Sequence, residues 1–145
     1  MKLILGSASK WRRQILQKAG YEFSTMSPDI DEKKIRLSDP NQLVLSIANA
    51  KADTLLAKIT EPSILITSDQ VVVCHNEVFE KPSSEAEVRR FLNSYQHHEA
   101  MTVTAVVVTD TSTGKRVQGV DEVNIVFNAI PEDVINHVIA EGEVF

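Results

Sequence analysis

The sequence predicts an α/β fold whose sheet mixes crossover-connected with hairpin-connected strands. Three observations carry that prediction. Short apolar, β-branched runs alternate with stretches of helical apolar spacing, and several of those stretches open on recognisable helix caps. The chain has 145 residues, 43% hydrophobic and 24% charged, the size and balance of one domain with a sizeable core. No internal repeat, low-complexity tract or long linker interrupts it.

Lys2-Leu3-Ile4-Leu5 reads as a strand running into the small-residue loop Gly6-Ser7-Ala8-Ser9. The apolar spacing of Trp11, Ile15, Leu16 and Ala19 then fits a helix, stopped by Gly20. Tyr21 to Met26 alternates as a second strand, and Pro28 to Glu32 is an acidic turn. Asp39-Pro40 opens a helix as N-cap and N1, made amphipathic by Leu43, Ile47, Ala50 with Val44, Ala48 and Leu55, to about Lys58. Lys51 falls on that apolar stripe. Ile64-Leu65-Ile66 is a buried strand interrupted by the polar patch Thr67 to Gln70; Val71 to Val73 continues extended to a turn at His75-Asn76-Glu77. Ser84-Glu85-Ala86-Glu87 is a capping box, leading a helix with Val88, Phe91, Leu92 and Tyr95 inward. Val103 to Thr109, almost wholly apolar and β-branched, should be a central strand, with a turn at Asp110 to Gly114. A further strand is expected over Val123 to Phe127, and a last helix from Pro131, with Val134, Ile135, Val138 and Ile139 inward, to Gly142.

Composition excludes several function classes. A net charge of -5 argues against the broad basic surface that holds long nucleic acids. No stretch is apolar for long enough to span a bilayer or to serve as a signal peptide, so no membrane role and a cytoplasmic location are expected. The lone cysteine, Cys74, rules out an internal disulfide and reads as a buried thiol. Small anions stay in play because Lys10, Arg12 and Arg13 are bunched near the start.

The loop Gly6 to Ser9 stands between a strand and a helix bearing Arg12 and Arg13, where backbone N–H groups, the hydroxyls of Ser7 and Ser9 and guanidinium forks could converge on a phosphate; the same pattern also serves plain helix capping. Asp69 follows an apolar strand, and burying a carboxylate is costly without a partner, a metal or a catalytic role; a carboxylate bonded to its own turn is the alternative. Asp29, Asp31 and Glu32 offer hard oxygens to a divalent cation or are simply a solvated acidic loop. Lys51 either snorkels past the core or enters a cleft, and Lys81, held extended before Pro82, could likewise meet phosphate or solvent. His97-His98-Glu99 fits a surface loop better than a metal site, since adjacent histidines do not share a face.

Taken in order, Ser7-Ala8-Ser9-Lys10-Trp11-Arg12-Arg13-Gln14-Ile15-Leu16, Asp31-Glu32, Ala48-Asn49-Ala50-Lys51-Ala52, Ser68-Asp69-Gln70-Val71 and Lys81-Pro82 resemble the Maf-like family of nucleotide pyrophosphatases over essentially the whole chain. The resemblance implies an elongated, mixed β-sheet with flanking helices, forming two lobes around a central cleft. It implies hydrolysis of a nucleoside triphosphate to the monophosphate and pyrophosphate, with catalytic work from Asp69, Arg12, Lys51 and Lys81 and substrate contacts from Ser7, Ser9, Trp11, Arg12 and Gln70. Glu32 and Asp69 would hold a divalent cation, Mg²⁺ or Mn²⁺. Trp11 stands where many members have an arginine, and Gln70 where they have threonine. Both look like the branch that prefers 7-methyl-GTP, since an indole can stack on a cationic purine and an amide can bond a base edge. A dTTP/UTP pyrophosphatase is the nearer alternative, a catalytically impaired nucleotide-binding or interaction domain the more distant one. Lys10 replaces the family's usual proline, and the chain stops at Phe145 where members continue, so one domain shortened at its C-terminus is the expectation, with a homodimer as what the resemblance implies.

Overall fold

The computed structural model of the protein describes residues 1–142. Its elements are β1 (Lys2–Leu5), α1 (Lys10–Lys18), β2 (Ser24–Thr25), a 3₁₀ turn (Glu32–Lys34), α2 (Pro40–Leu56), β3 (Ser63–Cys74), β4 (Glu77–Phe79), α3 (Glu85–His97), β5 (Ala100–Asp110), β6 (Arg116–Ile125) and α4 (Glu132–Glu141). The sheet is six-stranded, in the order β2-β1-β3-β5-β6, with β4 paired to β3. It is mixed: β1 runs parallel to β2 and to β3, while β4 is antiparallel to β3. The α/β expectation with its mixed sheet therefore holds.

The chain divides into two compact units, Met1–Gln70 with Thr104–Val120, and Val71–Val103 with the chain from Asp121 onward. In the first, Ile4, Ala52, Leu55 and Leu65 form the core between α2 and the sheet, joined by Met26, Leu56 and Ile59. Gly6 is packed so tightly there that a Cβ would lie 2.6 Å from Leu55 Cδ1 and 2.7 Å from Thr67 Cγ2, closer than atoms pack. In the second, Cys74, Phe79, Phe91 and Ala100 cluster with Val72 and Tyr95, and the Phe79 and Phe91 rings stack at 4.3 Å. Cys74 is the buried thiol expected, its pKa raised by desolvation. Among the described residues no helix is long and apolar enough to cross a membrane.

Several local expectations change. The polar patch does not interrupt the third strand: β3 runs unbroken through Thr67 to Gln70, because alternation places Thr67 and Asp69 on the α2 face, where both have partners. Val123 is not the start of a separate strand, since β6 is continuous from Arg116 and ends before Phe127. The helix expected after Ser9 is present as α1, but no residue of it is buried, and Trp11 and Ile15 are 57% and 65% exposed. On α4 only Ile135 is buried, and Val134 faces solvent. His75 and Asn76 take positive φ, 50° and 61°, as a two-residue hairpin turn of right-twisted strands requires.

Thr109, in β5, is fully buried and its hydroxyl has no hydrogen-bond partner among the described residues. Such a group keeps its desolvation cost. Thr109→Val keeps the shape without the hydroxyl and is expected to raise stability by about 1 kcal/mol, read as a higher urea midpoint at unchanged slope; a lowered midpoint would contradict it.

Candidate active site

The site grows from the end of β1. After Leu5 the chain turns through Gly6, whose N–H donates to the Ile66 carbonyl at 2.8 Å, and reaches Ser9, the N-cap of α1. The Ser7 hydroxyl, buried, accepts from the Ser9 N–H at 3.1 Å, and the Ser9 hydroxyl accepts from the Arg12 N–H at 3.4 Å. The loop thus serves as a helix cap, and its hydroxyls stand at the positive end of α1. Arg12 Nη1 donates to the Ser68 carbonyl at 3.0 Å, which draws the guanidinium onto β3.

The centre is Lys51. It lies on the buried face of α2 in the stripe Val44, Ala48, Lys51, Ala52 and Leu55, and is itself only 5% exposed. An ammonium there must use its three donors. Nζ lies 2.9 Å from Asp69 Oδ1, 2.8 Å from Glu32 Oε1 and 3.3 Å from the Ser68 carbonyl. Asp69 is 6% exposed; Glu32 comes from the 3₁₀ turn and is half exposed. Burial holds the Asp69 pKa above the ordinary aspartate range, with Glu32 adding to the rise, while the Lys51 ammonium and Arg12 act against it. A carboxylate poised this way is a better proton acceptor than an exposed one.

Of the residues singled out in the sequence, the structure brings Glu32, Lys51 and Asp69 onto one point and ties Arg12 to the same Ser68 carbonyl as Lys51. Ser7 and Ser9 lie in the loop that leads to Arg12. The β1 ladder stops at Leu5↔Ile66, so Thr67 to Gln70 border an edge of β3 that β1 no longer lines. Asp69 faces α2 there, and Gln70, next along the strand, is exposed on the other face, its Oε1 accepting from Thr104 Oγ1 at 3.0 Å. Trp11 stands exposed on α1, with Lys10 Nζ 5.3 Å from its ring centroid. Lys81 belongs to the second unit and is exposed. Asp29 and Asp31 stay exposed, Asp31 pairing with Lys34. Sequence reasoning missed the Ser68 carbonyl, since backbone carries no residue signature, and Thr104, whose one signal was a hydroxyl inside an apolar strand. Among the described residues no three His, Cys, Asp or Glu groups gather as a metal cage.

Comparison with known proteins gives a consistent picture. The family described as Maf-like protein matches residues 2–145. A 7-methyl-GTP pyrophosphatase of Dictyostelium discoideum is 48% identical, over 98% of this chain and 76% of that protein. A dTTP/UTP pyrophosphatase of Vibrio vulnificus is 40% identical over 73% of this chain, which spans 58% of its length. A 7-methyl-GTP pyrophosphatase of the same species is 32% identical over 90% of this chain and 66% of its own length. Among solved structures, a nucleoside-triphosphatase (dITP/XTP pyrophosphatase) of Mycobacterium abscessus aligns with a TM-score of 0.54 at 12% identity, covering 86% of this chain and 73% of that one, a likeness of fold.

Proposed function

Because the chain belongs to the Maf-like family, we propose that it hydrolyses a nucleoside triphosphate between the α and β phosphates, releasing the monophosphate and pyrophosphate, with 7-methyl-GTP as preferred substrate. The observation that carries this reading is the buried Lys51 ammonium held between Asp69 and Glu32. It joins a proton acceptor of raised pKa to a fixed positive charge at one point. In this reading Asp69 takes the proton of the attacking water, and Lys51 and Arg12 stabilise the charge that develops on the leaving pyrophosphate. Ser7 and Ser9 offer hydroxyls to the phosphates. Trp11 presents an exposed indole face to a cationic methylated purine, and Gln70 presents its amide to the base edge.

Glu32 and Asp69 would hold Mg²⁺ or Mn²⁺. Their donor chemistry fits: two hard carboxylates stand on either side of the Lys51 ammonium, and such ions take one or two carboxylates and complete their shell with substrate phosphates and water. When bound, the cation supplies Lewis-acid polarisation of the phosphoryl group.

Pyrophosphate release measured with Mg²⁺ or Mn²⁺ across 7-methyl-GTP, GTP, UTP, CTP and dTTP tests the proposal, with fastest turnover expected on 7-methyl-GTP. Faster turnover of dTTP and UTP would reassign the substrate. Binding without turnover would make the chain a nucleotide-binding domain, and orthophosphate as product would reject pyrophosphatase chemistry.

A further inference from the structure

Gln70 and Thr104 stand on neighbouring strands, β3 and β5, and the Thr104 hydroxyl donates to the Gln70 side-chain carbonyl at 3.0 Å. A primary amide carries one acceptor oxygen and a nitrogen with two donors, and a freely rotating glutamine can offer either. With Oε1 turned onto Thr104, the donors on Nε2 are what Gln70 presents to a ligand. Gln70 is exposed and Thr104 half-buried, so the reader meets solvent while its anchor is packed into the sheet.

We propose that Thr104 is a positioning residue for base selection: by donating to Oε1 it turns Nε2 of Gln70 toward the ligand, favouring bases with a carbonyl at the purine 6 or pyrimidine 4 position over those with an amino group there. The inference rests on the reading above that Gln70 touches the base. Guanine offers O6, and thymine and uracil O4, as acceptors; adenine offers N6–H₂ and cytosine N4–H₂, both donors. Against Nε2 a carbonyl completes a hydrogen bond, whereas an amino group sets donor against donor and completes none. A site built to bond one polarity rejects the other more strongly than an apolar pocket rejects a misfit. Methylation of guanine at N7 leaves O6 in place, so this selection acts separately from stacking on Trp11.

The test uses the whole chain as wild type, Thr104→Val and Thr104→Ser. Calorimetric titrations with GTP, UTP, ATP, CTP and inorganic tripolyphosphate are run beside assays of pyrophosphate release. Wild type is expected to bind GTP and UTP about tenfold more tightly than ATP and CTP. Thr104→Val should bring the four nucleotides to within about twofold of one another and leave tripolyphosphate binding unchanged, and Thr104→Ser, which keeps the hydroxyl, should restore the preference. The proposal is overturned by a preference that survives Thr104→Val, by a wild type that prefers ATP and CTP or shows no preference, or by absence of nucleotide binding. A preference that depends on Thr104 without pyrophosphate release would defeat the pyrophosphatase reading alone; equal turnover of all four nucleotides would defeat this one alone.

Discussion

Asp69→Asn is expected to lower pyrophosphate release by about 10³-fold while nucleotide binding stays measurable. The two side chains have the same shape, and an amide can still accept from Lys51 Nζ, which now lies 2.9 Å from Oδ1. What vanishes is the basic oxygen. Folding should survive, because an amide is neutral and escapes the desolvation that raises the Asp69 pKa. The same shift sets the pH dependence. A carboxyl whose folded pKa lies above its unfolded value favours folding fully below the unfolded value, and that contribution is lost as pH rises through the folded one. Asp69 can accept a proton only when ionised, so wild-type activity should fall, on acidification, at a pH above the ordinary aspartate range, and Asp69→Asn should show no such limb. Residual activity near wild type, measured with a pyrophosphate-coupled assay, would remove Asp69 from the chemistry.

Lys51→Met is expected to abolish activity and to destabilise the fold by about 3 kcal/mol at neutral pH. Methionine fills much of the lysine volume on the α2 stripe, so the loss is electrostatic. Two carboxylates that shared one ammonium would face each other, and Asp69, 6% exposed, would keep only the longer-range attraction of Arg12 against that repulsion. The cost is moderated because Glu32 is half exposed and can turn to water. Protonating Asp69 relieves the conflict, so urea midpoints at pH 5 and pH 8 should show a smaller deficit at pH 5. An equal deficit at both would mean that the loss comes from packing.

Much of this was legible in the chain. Asp39-Pro40 and Ser84 begin helices as their chemistry dictates, with the Asp39 carboxylate accepting from the Asn41 N–H and the Ser84 hydroxyl from the Glu87 N–H. Lys51 on an apolar stripe and Asp69 after an apolar strand were each costly alone, and the cost itself signalled that they had partners. That they are partners of each other, and of Glu32, depends on how α2 lies on β3, which local spacing does not encode. The exposed face of α1 shows the converse. The spacing of Trp11 and Ile15 describes a helix face but not what lies beside it. The continuity of β3 through Thr67 to Gln70 was obscured for a similar reason: polar residues interrupt a strand only when nothing across the packing receives them, and here Ala48 and Lys51 do.

Gly6 carries a consequence for how sequences of this kind can diverge. Position 6 is tied to Leu55 and Thr67 by distances that leave no room for one more carbon unless those side chains shift. A homologue with alanine there must have moved the side chains at 55 and 67 or given up volume at them, so the three positions should vary together. A set of related sequences in which residue 6 drifts while the other two stay fixed would show that the backbone yields more readily than these contacts imply.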